Sequence, residues 1–167
     1  MIEIIGAKGD IQNIDIFLKK LSDLSQEYNI VIQVFNADMI YGENHLISSV
    51  EHAIRAMKQE TNTTNSLNME ILLYASGERQ LKIAIPKMGV KKGKGNIALV
   101  FTNGKIPEGK IDQILTKLDL ERDDKVLEGD INTLKKFGLS EKEIETVNPE
   151  KYGHLILEKI ALVDIIK

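Results

Sequence analysis

Residues 65–80 read NSLNMEILLYASGERQ, and the fold turns on how this stretch is read. Asn65 or Ser66 offers a short side-chain oxygen to the free backbone N–H groups of a helix start. From Leu67 to Ala75 nearly every turn is apolar, with Glu70 as the one carboxylate. A surface helix shows one apolar stripe, whereas a helix apolar all round is enclosed by other elements. Gly77 takes positive φ at no steric cost and suits the helix exit. A second helix is expected over ERQLKIAI (78–85), ending or kinking where Pro86 meets the carbonyl four residues back.

The flanks supply the enclosing layers. IEIIG (2–6) and NIVIQVFNA (29–37) read as strands, and NIALVFTN (96–103) is apolar enough for the centre of a sheet. A helix capped by Asp10 keeps its period through Ile11, Ile14, Phe17, Leu18, Leu21 and Leu24 to about Tyr28. A second runs from Glu43 to Lys58, with Leu46, Val50, Ala53, Ile54 and Met57 on its core stripe. Residues 59–66 form a polar turn. Pro107 opens a further helix, Asp130 to Phe137 is a short helix stopped by Gly138, and Ser140 with Glu143 makes a capping box. The tail reads as a helix from Pro149 to Lys159 and a strand from Ala161 to Ile165, or as one helix. The expectation is a single α/β domain over residues 1–167, with a small mixed β-sheet of about four strands and helices on both faces.

Composition narrows the chemistry. The 167 residues are 43% hydrophobic but only 5% aromatic, so the core is built from Ile, Leu, Val, Ala and Met. No cysteine is present, which removes disulfides, thiolate nucleophiles and zinc–thiolate sites together. The N-terminus lacks a signal-peptide pattern and no stretch approaches a membrane span, so a cytoplasmic protein is expected. The net charge of −3 conceals segregation: residues 50–95 carry eight basic and four acidic side chains, against 22 and 25 in the whole chain. A basic segment in an acidic protein suits an anionic ligand, although solvated helix backs give the same pattern.

The motifs that would signal catalysis fail on spacing. GVKKGKG (89–95) has three residues between Gly89 and Gly93 where a phosphate loop needs four, and it lacks the Ser or Thr that holds magnesium. GAKG (6–9) follows a strand and is read as a turn. His45 and His52 stand seven residues apart, about 10 Å of helix rise, too far to share a metal easily. Glu70 has no acid–base partner near it in sequence, and its place in the early turns suits the helix dipole. No catalytic residue, metal site or cofactor is expected.

Four stretches carry a resemblance: HLISSVEHAIRAMKQ (45–59), NSLNMEILLYASGERQLKIAI (65–85), DDKVLEG (123–129) and LEKIALVDI (157–165). Together the chain resembles the PRPK-binding subunit of the KEOPS complex, of the short archaeal type, over nearly its full length. The resemblance implies one α/β domain without enzymatic activity. KEOPS installs threonylcarbamoyl on the adenosine beside the tRNA anticodon. This subunit would sit on the small atypical kinase and capture the single-stranded tRNA acceptor end.

Residues and resemblance then combine. A stiff apolar helix holds Asn65 and Ser66 at one end and Arg79 and Gln80 at the other, about 15 Å apart at 1.5 Å per residue. Arginine stacks on bases or forks onto phosphate, and amides read base edges. Arg55, Lys58 and Lys82 add cations. The candidate tRNA-binding residues are therefore Arg55, Lys58, Asn65, Ser66, Arg79, Gln80 and Lys82. The candidate kinase face is Ile47, Ile54 and Met57, not all of which can face one core. The alternative is a purely structural adaptor that steadies the kinase without touching RNA. Self-association of the isolated chain stays open.

Overall fold

A computed structural model describes all residues, Met1–Lys167. Strand β1 spans Ile2–Ile11, helix α1 Ile14–Tyr28 and strand β2 Val31–Asn36. Helices α2 (Gly42–Lys58), α3 (Leu67–Ser76) and α4 (Leu81–Met88) follow, then strand β3 (Gly93–Thr102). Helix α5 is Lys110–Lys117 and β4 is the two-residue strand Glu121–Arg122. Helices α6 (Ile131–Phe137), α7 (Glu141–Glu145) and α8 (Tyr152–Ile166) complete the chain.

The sheet order is β2-β3-β1-β4. The four strands and the two helical layers are as expected. The mixed sheet is not, because every hydrogen-bonded pair is antiparallel. β1 and β2 do run parallel, as strands joined through a crossover helix should, but β3 lies between them and pairs with both. Side chains alternate across this sheet with period two. Ile5 opposes Leu99, which opposes Val34, and all three enter one core with Phe17, Leu21 and Leu24 of α1 and Ile114 of α5. Ile4, Val100, Ala98 and Phe35 point the other way, into a larger core shared with α2, α3, α4, α6, α7 and α8.

Helix α3 is enclosed as its composition demands. Every residue from Glu70 to Ser76 is buried. It packs on α2, α4, α8 and β2. Burying one large aliphatic side chain contributes roughly 1.5–3 kcal/mol, so Ile71, Leu72 and Leu73 anchor the domain centre. Gly77 ends the helix at φ 71°, the left-handed geometry glycine adopts freely.

Several local expectations are corrected. β1 continues to Ile11, so GAKG lies in a strand, and Asn13 rather than Asp10 caps α1 through its side chain. The last residues of the basic loop already belong to β3, where Gly95 pairs with Gly9. Ser66 occupies the N-cap position of α3 without a side-chain cap bond. The second helix starts at Leu81, leaving Glu78, Arg79 and Gln80 in the connection. It runs past Pro86 to Met88, with the proline on the exposed side of the helix. The helix expected at Pro107 begins at Lys110. The tail is one helix after a short 3-10 turn, and the fourth strand is Glu121–Arg122 instead. A two-residue strand offers no periodicity to read.

Candidate nucleic-acid interface

Both tips of α3 are clamped by buried polar groups. At the N-terminal tip Glu70 is fully buried. Its carboxylate accepts from the Thr63 and Thr64 amides at 3.1 and 2.9 Å and from the Thr64 hydroxyl at 2.7 Å. Lys167, at the end of α8, donates to the same carboxylate at 2.9 Å. Burial alone would raise the Glu70 pKa, but the Lys167 and threonine hydrogen bonds outweigh it and hold the carboxyl below the usual glutamate range. The lysine that completes the site lies 97 positions away, so no local spacing announces the pair.

At the C-terminal tip the helix carbonyls are taken in turn. The Ser76 hydroxyl donates to the Leu73 carbonyl at 2.6 Å, and Gly77 N–H donates to the Tyr74 carbonyl at 3.0 Å. His45 Nε2 donates to the Ala75 carbonyl at 2.8 Å, while its Nδ1 accepts from the Tyr41 amide at 3.0 Å. These two bonds fix one neutral tautomer, and burial pushes the imidazole pKa down to about 4. Lys87 donates to the Ser76 carbonyl at 2.7 Å and to Glu78 at 3.2 Å, with its ammonium 3.9 Å from the Phe137 ring centre.

Because α2 and α3 run antiparallel, the candidate residues fall into two groups. His45 at the start of α2 meets Ala75 at the end of α3, so Arg55 and Lys58 lie toward the tip that carries Asn65 and Ser66. Arg79, Gln80 and Lys82 sit at the opposite tip, one ten-residue helix away. Lys58, Asn65, Arg79 and Lys82 are exposed, and Ser66 and Gln80 are half-buried. None of these six side chains makes a hydrogen bond or ion pair within the chain. Glu78, the acidic neighbour of Arg79, is engaged by Lys87. Arg55 differs, since His52 and Asp164 hold it.

The sequence reading missed a second polar cluster on the flank of α3. The Tyr74 hydroxyl donates to Asp164 of α8. His52 Nδ1 lies 2.9 Å from the other Asp164 oxygen, and its ring stacks on Tyr74 at 5.3 Å. Partial burial opposes ionisation of Asp164, but Tyr74 and His52 outweigh it and hold the carboxyl below its usual range. The only signal was compositional: Asp164 is a lone charge within the apolar run Ile160–Ile166, and Tyr74 is the one hydroxyl-bearing ring of α3.

On the candidate kinase face, Ile47 and Ile54 are half-buried against the larger core and Met57 is half-buried beside them. The most open apolar side chain lies elsewhere: Ile165 is 77% exposed, and Leu162 and Ile166 on the same helix α8 are exposed too. Ile83 and Ile85 of α4 are also exposed. A cleft of about 770 Å³ lies at the far end of β1 and β3, with both signs of charge from Lys8, Asp10, Lys94 and Glu121. No three His, Cys, Asp or Glu residues converge as metal ligands. No helix is long and apolar enough to cross a membrane.

Comparison with known proteins identifies the family. The family model described as kinase binding protein CGI-121 matches residues 9–164, from the last residues of β1 to the last turn of α8. The chain belongs to the CGI-121 family. It is 34% identical over 138 residues to "Regulatory protein Cgi121" of Methanocaldococcus jannaschii, covering 81% of this chain and 84% of that protein. The expected resemblance to a kinase-binding subunit is thereby met. The CGI-121 family is described by what it binds rather than by a reaction.

Proposed function

We propose that this chain is a non-catalytic accessory subunit of the KEOPS tRNA-modifying complex. It binds the atypical kinase subunit and holds the single-stranded 3′ acceptor (CCA) end of tRNA in the cytoplasm. The kinase half rests on family membership. The RNA half is supported chiefly by one observation: exposed cations and amides without internal partners flank a helix whose two ends are immobilised by buried bonds. Lys58, Asn65 and Ser66 at one tip and Arg79, Gln80 and Lys82 at the other are spaced for an extended strand rather than a small metabolite. Arg55 joins the first group. Lys91, Lys92 and Lys94 add exposed charge beyond α4.

The test is a gel-shift titration of the purified chain with tRNA, with tRNA lacking its terminal nucleotides, and with the kinase subunit. Arg79→Glu and Lys58→Glu should each weaken tRNA binding and leave the fold intact. Normal tRNA affinity in both variants would remove the site assignment.

A second reading, an adaptor that steadies the kinase without touching RNA, is favoured by the exposed Leu162, Ile165 and Ile166 on α8. It predicts kinase binding alongside equal, negligible affinity for both tRNA forms. Ile47, Ile54 and Met57 remain the α2 contribution to a kinase face, beside α8, which packs on α2.

A further inference from the structure

One nitrogen of His52 faces two groups that it cannot serve at once. Its Nδ1 lies 2.9 Å from Asp164 Oδ2 and 2.9 Å from Arg55 Nη2. A carboxylate accepts only, and a guanidinium donates only. With a proton on Nδ1 the ring bonds Asp164 and presents an N–H to the Arg55 N–H. With a lone pair on Nδ1 it accepts from Arg55 and presents that lone pair to Asp164. The site therefore has two exclusive hydrogen-bond arrangements.

The surroundings make both arrangements affordable. Asp164 keeps the Tyr74 hydroxyl on its other oxygen, so it is not orphaned when His52 turns to Arg55. Arg55 is 4.0 Å from Asp164 Oδ2 and half exposed, so only that long, solvent-screened ion pair holds it when His52 lets go. The groups facing the imidazole are Arg55 from its own helix, Tyr74 stacked from α3, and Asp164 from α8. Lys167 lies 4.5 Å from the Tyr74 ring centre, and Glu70 neutralises it. The His52 side chain is 16% exposed, open enough to exchange a proton with water.

We propose that His52 is a proton-operated holder for Arg55. In its neutral Nε2–H tautomer the ring keeps the guanidinium, and protonation puts an N–H on Nδ1 that turns to Asp164 and releases it. Acidification that protonates the ring therefore frees Arg55 and adds a second positive charge beside it. The consequence for RNA rests on the reading of Arg55 as a phosphate contact given above, whereas the switch itself does not.

The experiment is an NMR titration of the full ¹⁵N-labelled chain from about pH 8.5 to about pH 5.5, following the His52 ring nitrogens and the Arg55 side-chain N–H. Above the titration Nδ1 should be unprotonated. As it gains its proton, the Arg55 signal should shift on the same curve, and its hydrogen exchange, taken as a ratio to that of His52→Asn at the same pH so that intrinsic base catalysis cancels, should rise at least about tenfold, the factor for losing a hydrogen bond that involves a charged group. His52→Asn keeps a polar atom near the Nδ1 position without titrating there and should flatten the Arg55 response. An Nδ1 protonated throughout, or an Arg55 signal indifferent to His52, would overturn the switch. In parallel, binding of a short RNA ending in single-stranded CCA is measured against salt. The slope should steepen by about 0.7 at low pH, the increment for one further phosphate on a single strand, in the native chain and not in His52→Asn. A pH-independent slope would overturn the coupling to RNA. Absence of RNA binding at every pH would remove the functional reading, while the NMR titration still decides the switch.

Discussion

Lys167 and Glu70 form a buried ion pair at 2.9 Å, with side chains 5% and 0% exposed, joining the end of α8 to the first turns of α3. Three further donors from Thr63 and Thr64 satisfy the same carboxylate. A buried pair so enclosed is tolerated because its hydrogen bonds are complete, and it is costly to break from one side. Lys167→Met leaves the carboxylate uncompensated and should destabilise the chain by about 3–5 kcal/mol. Urea unfolding of the variant against the native chain measures this.

The same pair gives a pH signature. Glu70 is held below its usual range when folded, so its stabilisation is full above the unfolded glutamate pKa. It is lost as pH falls through the folded value. Glu70→Gln should lower stability at neutral pH and shrink the loss seen on acidification. Unfolding free energies measured across the acid range decide it.

His45 acts in a separate window. Its folded pKa of about 4 lies below the ordinary 6.5, so the unfolded chain takes up a proton that the folded chain refuses. Stability is present above the unfolded value and falls as pH drops toward the folded one. The slope should approach ~1.4 kcal/mol per pH unit between these limits. His45→Gln should abolish that slope while costing stability at neutral pH through the lost Ala75 bond.

Gly77 is the hinge point between rod and connection. A Cβ there would lie 3.2 Å from the Phe137 ring, at a φ of 71° that side chains rarely adopt. Gly77→Ala should cost about 1–3 kcal/mol, the range for a residue forced into sparsely populated backbone space. Thermal unfolding reads it, and a displaced Arg79 should reduce tRNA affinity in the same variant.

Salt response separates RNA contact from incidental charge. If about three phosphates of a single strand are neutralised, log K should fall against log salt with a slope near −2. A flat response would argue for the adaptor reading. On the other face, Ile165→Asp should weaken kinase binding and leave the RNA slope unchanged, as a paired titration with both partners would establish.

The legible parts were those written in local pattern. The enclosed helix, the Gly77 exit, the Gly138 stop and the Ser140–Glu143 box all depend on neighbours within a few residues. The antiparallel sheet was not legible, because the parallel relation of β1 and β2 is real and only the insertion of β3 turns every pairing around. The strand expected at 161–165 failed because Ala161, Leu162, Val163 and Ile165 suit either period, and the helix continued through them. The Glu70–Lys167 and His52–Asp164 pairs escaped for a simpler reason: each joins residues about a hundred positions apart.

The placement of β3 also governs how the chain must assemble. Ile2 pairs with Thr102, and β2 has no neighbour except β3. During synthesis the first two strands therefore leave the ribosome with an empty slot between them, and neither ladder can zip until residues 93–102 emerge. Closing so long a loop is slow, and an unfilled slot flanked by greasy edges invites foreign strands. A nascent chain stalled just short of Gly93 should need a chaperone's shelter far more than one released ten residues later.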